Sequence, residues 1–288
     1  MNWVNAIVQG VLVGGLYALF AAGLSLVFGV MRLVNLAHGD FAILAAYLAV
    51  LLADHGGLSP WLSILLVVPT MALVGFVLQV LVLNYTLDSA LAPLLATFGL
   101  AIIIQNALLE SFSANLQGLD AGSIETESIQ VTTDVAVGWF PLLTLIAAVG
   151  VLAVLQLVIS RTALGRALRA TSDDGRAAQL VGIDNRRLYG IAMAISLATA
   201  AIAGIFLGIR TTFDPSAGPV RLIFAFEAVI IGGLGSLWGT LVGGIVLGVA
   251  QAIGAEINPG WGILAGHLVF LAVLIVRPTG LLGKTAPA

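Results

Sequence analysis

The side chains best suited to chemistry lie inside or beside long apolar runs. They are Asn35, His38 and Asp40 at one Gly-rich interruption, Gln105 and Asn106 in a later run, and Glu227 beside a second interruption. Ionisable groups at membrane depth are costly and usually face a cavity or the interior of a helix bundle. The set is typical of a pathway lining for a polar solute. Backbone capping explains the first three equally well, interhelical hydrogen bonding explains Gln105 and Asn106, and an ion pair with a nearby arginine explains Glu227.

The sequence contains no signature of covalent catalysis. HExxH and GxSxG are absent, and the C-terminal "GLLGKT" has Pro278 where a phosphate loop needs its first glycine. The chain has no cysteine, so it has neither thiolate chemistry nor disulfides. We therefore predict no catalytic residues, no metal and no cofactor in this chain. The net charge of −3 and the lack of a basic tail also argue against a nucleic-acid partner.

Composition sets the class of protein that must position these residues. Hydrophobic residues make up 60% of the chain and charged residues 9%, whereas a soluble domain carries about 25% charged residues. The apolar runs are continuous and longer than the alternating segments of a β-barrel. The prediction is an all-α polytopic membrane protein that forms a single transmembrane domain over residues 1–288.

Nine apolar segments are candidates for crossing the membrane. A straight crossing needs about 20 apolar residues, and two segments, Phe41 to Ala53 and Leu222 to Ile231, are too short. Short, Gly-interrupted segments indicate broken or re-entrant helices beside a cavity. The count is thus eight or nine: Ala6 to Val30, Phe41 to Ala53, Trp61 to Leu83, Leu91 to Leu109, Phe140 to Ile159, Leu188 to Ile209, Leu222 to Ile231, Leu237 to Ile253, and Trp261 to Val276.

A polar segment from Arg161 to Arg187, which we call the basic island, carries six of the 11 basic residues. Arginine excess places a loop on the cytoplasmic side. The acidic segment Glu110 to Gly138, with Asp134 among its carboxylates, then falls outside, and Lys284 falls inside. Only Arg210 and Arg221 are basic residues on the outer side. Nine crossings put the N-terminus outside and the C-terminus in the cytoplasm.

Within the basic island, Ser172-Asp173-Asp174 is typical of a helix start and Gly182 of a helix stop. A short helix held between two spans could dock in a groove of a cytoplasmic partner, although an ordinary solvated loop has the same composition. The predicted docking residues are Asp173, Asp174, Gly175, Arg176, Ala177, Ala178, Leu180, Val181 and Gly182.

Several stretches resemble a known family. They include "GLYALFAAGLSLVFGVMRLVNLAHGDF" (15–41), "ATFGLAIIIQN" (96–106), "LGRALRATSDDGRAAQLVGID" (164–184), "IAMAISLATAAIAGIFLG" (191–208), "AVIIGGLGSLWGTLVGGIVLG" (228–248) and "RPTGLLG" (277–283). Through them the chain resembles the LivH-type permease subunits of ABC importers for branched-chain amino acids, nearly from end to end. The "NLAHGDF" and "IGGLGSLWG" segments are the most specific.

The resemblance implies a multi-pass protein of the bacterial plasma (inner) membrane. It implies a second homologous permease (LivM-like), two cytoplasmic ATPases (LivG/LivF-like) that bind ATP and Mg²⁺, and an extracytoplasmic solute-binding protein. It makes the docking helix of the basic island a coupling helix. The same family includes permeases for urea and short amides. An ion-coupled secondary transporter is the alternative from another class, but it gives the basic island no role.

Overall fold

The computed structural model describes residues 3–87, 89, 91–132 and 135–283. Over these residues the chain is a helical bundle, as predicted, with one small hairpin. The elements are α1 Trp3–Met31, α2 His38–Gly56, α3 Pro60–Leu81, α4 Ala92–Phe112, β1 Ser128–Thr132, β2 Val135–Gly138, α5 Trp139–Arg161, α6 Ala163–Asp173, α7 Gly175–Leu180, α8 Asn185–Arg210, α9 Gly218–Gly232, α10 Leu237–Ile257 and α11 Gly262–Val276.

Eight of the described helices are long and apolar enough to cross a membrane. The apolar segment Phe41 to Ala53 lies in a longer helix than expected, because polar residues at both of its ends are also helical and α2 reaches 19 residues. The prediction that the segment Leu222 to Ile231 is too short for a straight crossing was correct. It becomes α9, whose 15 residues span only about 22 Å at 1.5 Å per residue.

Glycines bring α1 and α10 into close contact. Gly14 packs against Gly244, and Gly10 packs against Gly248, so that a side chain at any of these positions would meet the opposite backbone. The spacing of Gly244 and Gly248 predicted such a contact, since small residues let helices approach in lipid. The central helices α1 and α8 are mostly buried, whereas α5 and α11 expose most of their surface.

One end of the bundle carries the segment 113–138 and is called the hairpin end. β1 and β2 pair there as an antiparallel hairpin, which the all-α prediction did not include. Gln9 in α1 donates from Nε2 to the Ala136 carbonyl at 2.7 Å, and the Leu119 amide donates to the Gly208 carbonyl at 2.8 Å. The start of α1 and the end of α8 therefore lie at the hairpin end. Asp134 lies outside the described residues.

The opposite end, called the island end, carries α6 and α7. The Ser172 hydroxyl donates to the Gly29 carbonyl at 2.7 Å, and Gly29 packs against Gly235, just before α10. The acidic segment and the basic island thus lie at opposite ends, and so do the start of α1 and the end of α11. Lys284 lies outside the described residues.

Two helices begin inside the bundle rather than at an end. At the start of α2, His38 Nε2 lies 3.0 Å from the Phe20 carbonyl oxygen, and Phe20 precedes the end of α1 by 11 residues. That separation is about 16 Å along the helix axis. The start of α9 lies against the start of α2, where Gly218 contacts Gly39. The predicted broken helices therefore meet at one place.

Candidate functional site

Polar side chains hold the break between α1 and α2. The backbone leaves α1 at Arg32, whose φ of 53° lies in the left-handed region. The Ala37 amide donates to Asn35 Oδ1 at 3.0 Å, and the Leu36 amide donates to Thr97 Oγ1 in α4 at 3.1 Å. Backbone groups at a break need such partners, because lipid offers none. Capping thus explains part of the role of Asn35.

Asn35, His38 and Asp40 lie at a helix break, as the sequence predicted, and all three are buried. Asp40 Oδ1 accepts a hydrogen bond of 2.8 Å from Gln105 Nε2 in α4. Its other oxygen and His38 Nδ1 have no partner among the described residues. The break therefore contains two buried polar atoms without a protein partner among the described residues, and Gln105 joins this cluster.

Asn106 lies apart from the cluster. Its side chain is exposed and donates at 2.8 Å to the Ile102 carbonyl one turn earlier in its own helix. Successive residues on an α-helix point about 100° apart. Gln105 and Asn106 therefore cannot both face the break, and the assignment of Asn106 to a solute pathway stays a prediction.

Glu227 is buried in α9, and its Oε1 pairs with Nδ1 of His267 in α11. Its partner is therefore a histidine, not the arginine considered from the sequence. The second oxygen, Oε2, has no hydrogen-bond partner among the described residues. His267 also stacks on Phe224, with ring centroids 6.2 Å apart. The pair joins two helices and leaves one buried carboxylate oxygen free.

The sequence did not indicate a second polar group, which meets α9 at Phe224, the same ring that contacts His267. The Tyr17 hydroxyl donates to Gln251 Oε1 at 2.5 Å, and the Tyr17 ring lies 5.1 Å from that of Phe224. The charges of Arg210 and Arg221 both act on the Tyr17 hydroxyl. One feature of the sequence could have pointed to this group. Arg210 and Arg221 are the only basic residues that the predicted topology places on the outer side.

An open cavity of about 360 Å³ lies at the hairpin end, beside Arg210. It lies between the segment 118–125 and the end of α8, which the hydrogen bond from Leu119 to Gly208 also joins. Its lining residues are Gly118, Leu119, Asp120, Glu125, Gly208, Ile209, Arg210, Thr211 and Thr212. Arg210 therefore lines an open cavity together with two acidic residues, Asp120 and Glu125.

The predicted docking helix is shorter than expected. Ser172 and Asp173 belong to the end of α6, and α7 begins only at Gly175. Asp174 is the N-cap, with Oδ1 accepting from the Arg176 amide at 2.9 Å and the Ala177 amide at 3.0 Å. The Asp173 side chain is therefore not a helix start, because α6 continues through it.

The stop of this helix was predicted correctly, since Gly182 has a φ of 87°. Leu180 and Val181 are 89% and 78% exposed, which is unusual for side chains of their size. Ala178 instead faces inward and is buried in its own chain. The surface available to a partner is therefore Ala177, Leu180 and Val181, flanked by the exposed Arg176.

Fold and site together define a polytopic α-helical membrane protein with two broken helices that meet at a buried polar cluster. The family model described as "Branched-chain amino acid transport system / permease component" matches residues 6–276. The chain belongs to this family, whose members are transport permease components rather than enzymes.

Several relatives match along nearly the whole chain. BraD of Pseudomonas aeruginosa, a high-affinity branched-chain amino acid transport system permease protein, is 32% identical over 98% of this chain and 96% of its own length. LivH of Escherichia coli K12 is 28% identical over 96% of this chain and 94% of its own. LivM of the same organism is 28% identical over 94% of this chain and 69% of its own length. A solved structure, PsaBC from Streptococcus pneumoniae in complex with Fab, covers 97% of this chain and 93% of its own, with 14% identity and a TM-score of 0.47; nothing below rests on it.

Proposed function

We propose that this protein forms part of the transmembrane channel of an ATP-binding-cassette importer for branched-chain amino acids. The observation that carries the proposal is the family match over residues 6–276, together with relatives whose names specify this solute. Urea and short amides are the alternative solutes within the family. An ion-coupled secondary transporter is the alternative mechanism, and it leaves the exposed helix α7 without a role.

The proposed orientation places the island end in the cytoplasm and the hairpin end outside. Arg161, Arg166, Arg169, Arg176, Arg186 and Arg187 lie in the basic island, and arginine excess marks cytoplasmic loops. Because α1 begins at the hairpin end and α11 ends at the island end, the N-terminus is outside and the C-terminus inside. The lipid of the bacterial plasma membrane surrounds the exposed faces.

The proposed partners follow from the two ends. A LivM-like permease completes the channel, and a solute-binding protein delivers the solute at the hairpin end. Two LivG/LivF-like ATPases bind ATP and Mg²⁺ at the island end, where Ala177, Leu180 and Val181 dock into a groove. ATP binding draws the two docking helices together and switches the channel between outward and inward access. This chain itself carries no cofactor.

The proposed route for the solute passes the junction of α2 and α9. Asn35, His38, Asp40 and Gln105 line it on one side, and Glu227 lies farther along α9. The partnerless buried atoms of His38, Asp40 and Glu227 support this route, because buried polar groups in proteins are normally satisfied. Asn106 faces outward and contacts lipid or the second permease.

Reconstitution of the complete transporter tests the function. The chain is expressed with a second permease, ATPases and a binding protein of the same organism, and the complex is placed in proteoliposomes. We expect ATP-dependent uptake of leucine, isoleucine and valine, and no uptake of urea. Uptake of urea instead would identify the alternative solute. Leucine uptake driven by an ion gradient without ATP or ATPases would contradict the ABC mechanism.

A further inference from the structure

We propose that Arg210 and Arg221 bind the carboxylate group of the solute as it enters the bundle from the hairpin end. The inference rests on the proposed function, because it assumes that the solute is an amino acid. It assigns the binding of the amino acid's carboxylate group to these two side chains. Neither arginine belongs to the polar cluster at the junction of α2 and α9.

Arg210 and Arg221 come from different helices, and Arg221 precedes by one turn Phe224, whose ring lies 5.1 Å from that of Tyr17. Arg210 is the last residue of α8, and Arg221 lies in the first turn of α9. The connecting loop is held by Asp214, whose Oδ1 accepts from the Ser216 amide at 2.7 Å. Both arginines are partly buried, and their charges act on each other as well as on Tyr17.

Neither Arg210 nor Arg221 forms an ion pair among the described residues. Arg210 Nη1 and Arg221 Nε are buried without a hydrogen-bond partner among the described residues. The charge of Asp214 acts on Arg221, although the two side chains form no ion pair. Glu227 is paired with His267. Two neighbouring cations removed from water are costly unless an anion joins them.

A carboxylate fits this site better than other small anions of the cell exterior. The planar guanidinium presents a fork of donors that matches two carboxylate oxygens. Arg210 lines the open cavity at the hairpin end, where Asp120 and Glu125 are the acidic residues of the lining, and the rings of Tyr17 and Phe224 supply an apolar surface one turn from Arg221. An acidic side chain of a partner protein has the same chemistry. The solute is the better match, because the partnerless donor atoms lie inside the bundle.

The test compares leucine uptake by the reconstituted transporter carrying Arg210→Gln, Arg221→Gln, the double variant or Arg221→Lys. A hydrogen bond to a charged group contributes about 1.5–3 kcal/mol, so each glutamine should lower kcat/KM by about tenfold or more. Arg221→Lys keeps the charge, so its kcat/KM should lie between that of the wild type and that of Arg221→Gln. The matched control, Arg277→Gln, removes an exposed arginine at the island end and should leave uptake unchanged.

A second experiment first measures thiol labelling and then uptake. This chain has no cysteine, so Arg221→Cys, assembled with partner subunits from which cysteines have been removed, offers one thiol to a methanethiosulfonate reagent. Leucine should slow the labelling, whereas leucinol, which lacks the carboxylate, should not. A cationic reagent should restore uptake, and a neutral reagent of similar size should not.

The outcomes separate this inference from the proposed function. If wild-type transporter imports urea and not leucine, the proposed solute is wrong before any variant is measured. If wild type imports leucine and the double variant does so equally well, the inference is overturned while the function stands. The glutamine variants could instead bind the second permease or the binding protein more weakly and yet transport normally once assembled. The arginines would then bind an acidic side chain of that partner, and the inference is again overturned.

Discussion

Gly39 at the start of α2 and Gly218 at the start of α9 are in direct backbone contact, and the Gly218 carbonyl occupies the space that a side chain on Gly39 would need. The two broken helices are therefore joined at their first turns. This contact also sets the position of Asp40, whose carboxylate lies against Gly218. The buried polar cluster depends on two positions that carry no side chain.

Gly39→Ala should destabilise the protein, because the added methyl group has only backbone to displace. Overpacking of this kind costs about 1–3 kcal/mol. We expect a clear fall in the Tm of the purified protein. The matched control is Gly99→Ala in α4, where nothing lies within 4 Å of the new carbon. An equal Tm for both variants would show that the two helix starts are not packed as described.

Gln105→Leu should impair uptake much more than Asn106→Leu. The first change removes the only described side-chain donor to the Asp40 carboxylate, whereas the second removes a bond to the helix's own backbone. Leaving a buried acceptor unsatisfied costs about 1–3 kcal/mol. Initial rates in proteoliposomes, corrected for the amount of assembled complex, measure the effect. Equal rates for the two variants would remove Gln105 from the site.

His267→Phe should lower the Tm, because it leaves the Glu227 carboxylate buried without its partner. An unsatisfied buried group costs about 1–3 kcal/mol. The double variant with Glu227→Leu should recover part of the loss, since replacing both partners by apolar groups removes the uncompensated charge. A double-mutant cycle of Tm values measures the coupling. Strictly additive losses would mean that the pair does not interact.

Leu180→Asp should preserve insertion but uncouple ATP hydrolysis from uptake. The exposed leucine is suited to an apolar groove, where an unpaired buried charge costs several kcal/mol. Gly182→Pro should act similarly, because proline cannot adopt the φ of 87° found there. Solute-stimulated ATPase activity and uptake are measured together. The control Ser123→Asp adds a charge at the hairpin end. Normal coupling in both island variants would make α7 an ordinary loop.

The orientation can be measured in the cysteine-free chain by placing one cysteine at each end. Ser123→Cys and Gln179→Cys are both exposed, whereas Ser172 is partly buried and bonded to Gly29. An impermeant thiol reagent added to intact cells should label only the first. The second should react only after the membrane is opened. The reverse pattern would invert the proposed topology.

The sequence by itself determined the class of protein and the location of the helix breaks. Continuous apolar runs can only be membrane helices, because lipid satisfies no backbone hydrogen bonds. A polar segment rich in arginine, such as the one containing Arg176, cannot lie within the bilayer. Glycines and polar residues around His38 marked the first break for the same reason, and the short apolar run before Gly233 marked the short helix α9.

Only the tertiary structure decided which polar residues meet. Gln105 reaches Asp40 across 65 positions of sequence, and Asn106, its neighbour, points away. The charges of Arg210 and Arg221, which come from different helices, both act on Tyr17. Apolar helices look alike on all faces, so periodicity does not reveal which face is inside. Rotation and depth are set by helix contacts between distant glycines, such as Gly14 and Gly244, and those contacts exist only once the bundle has packed.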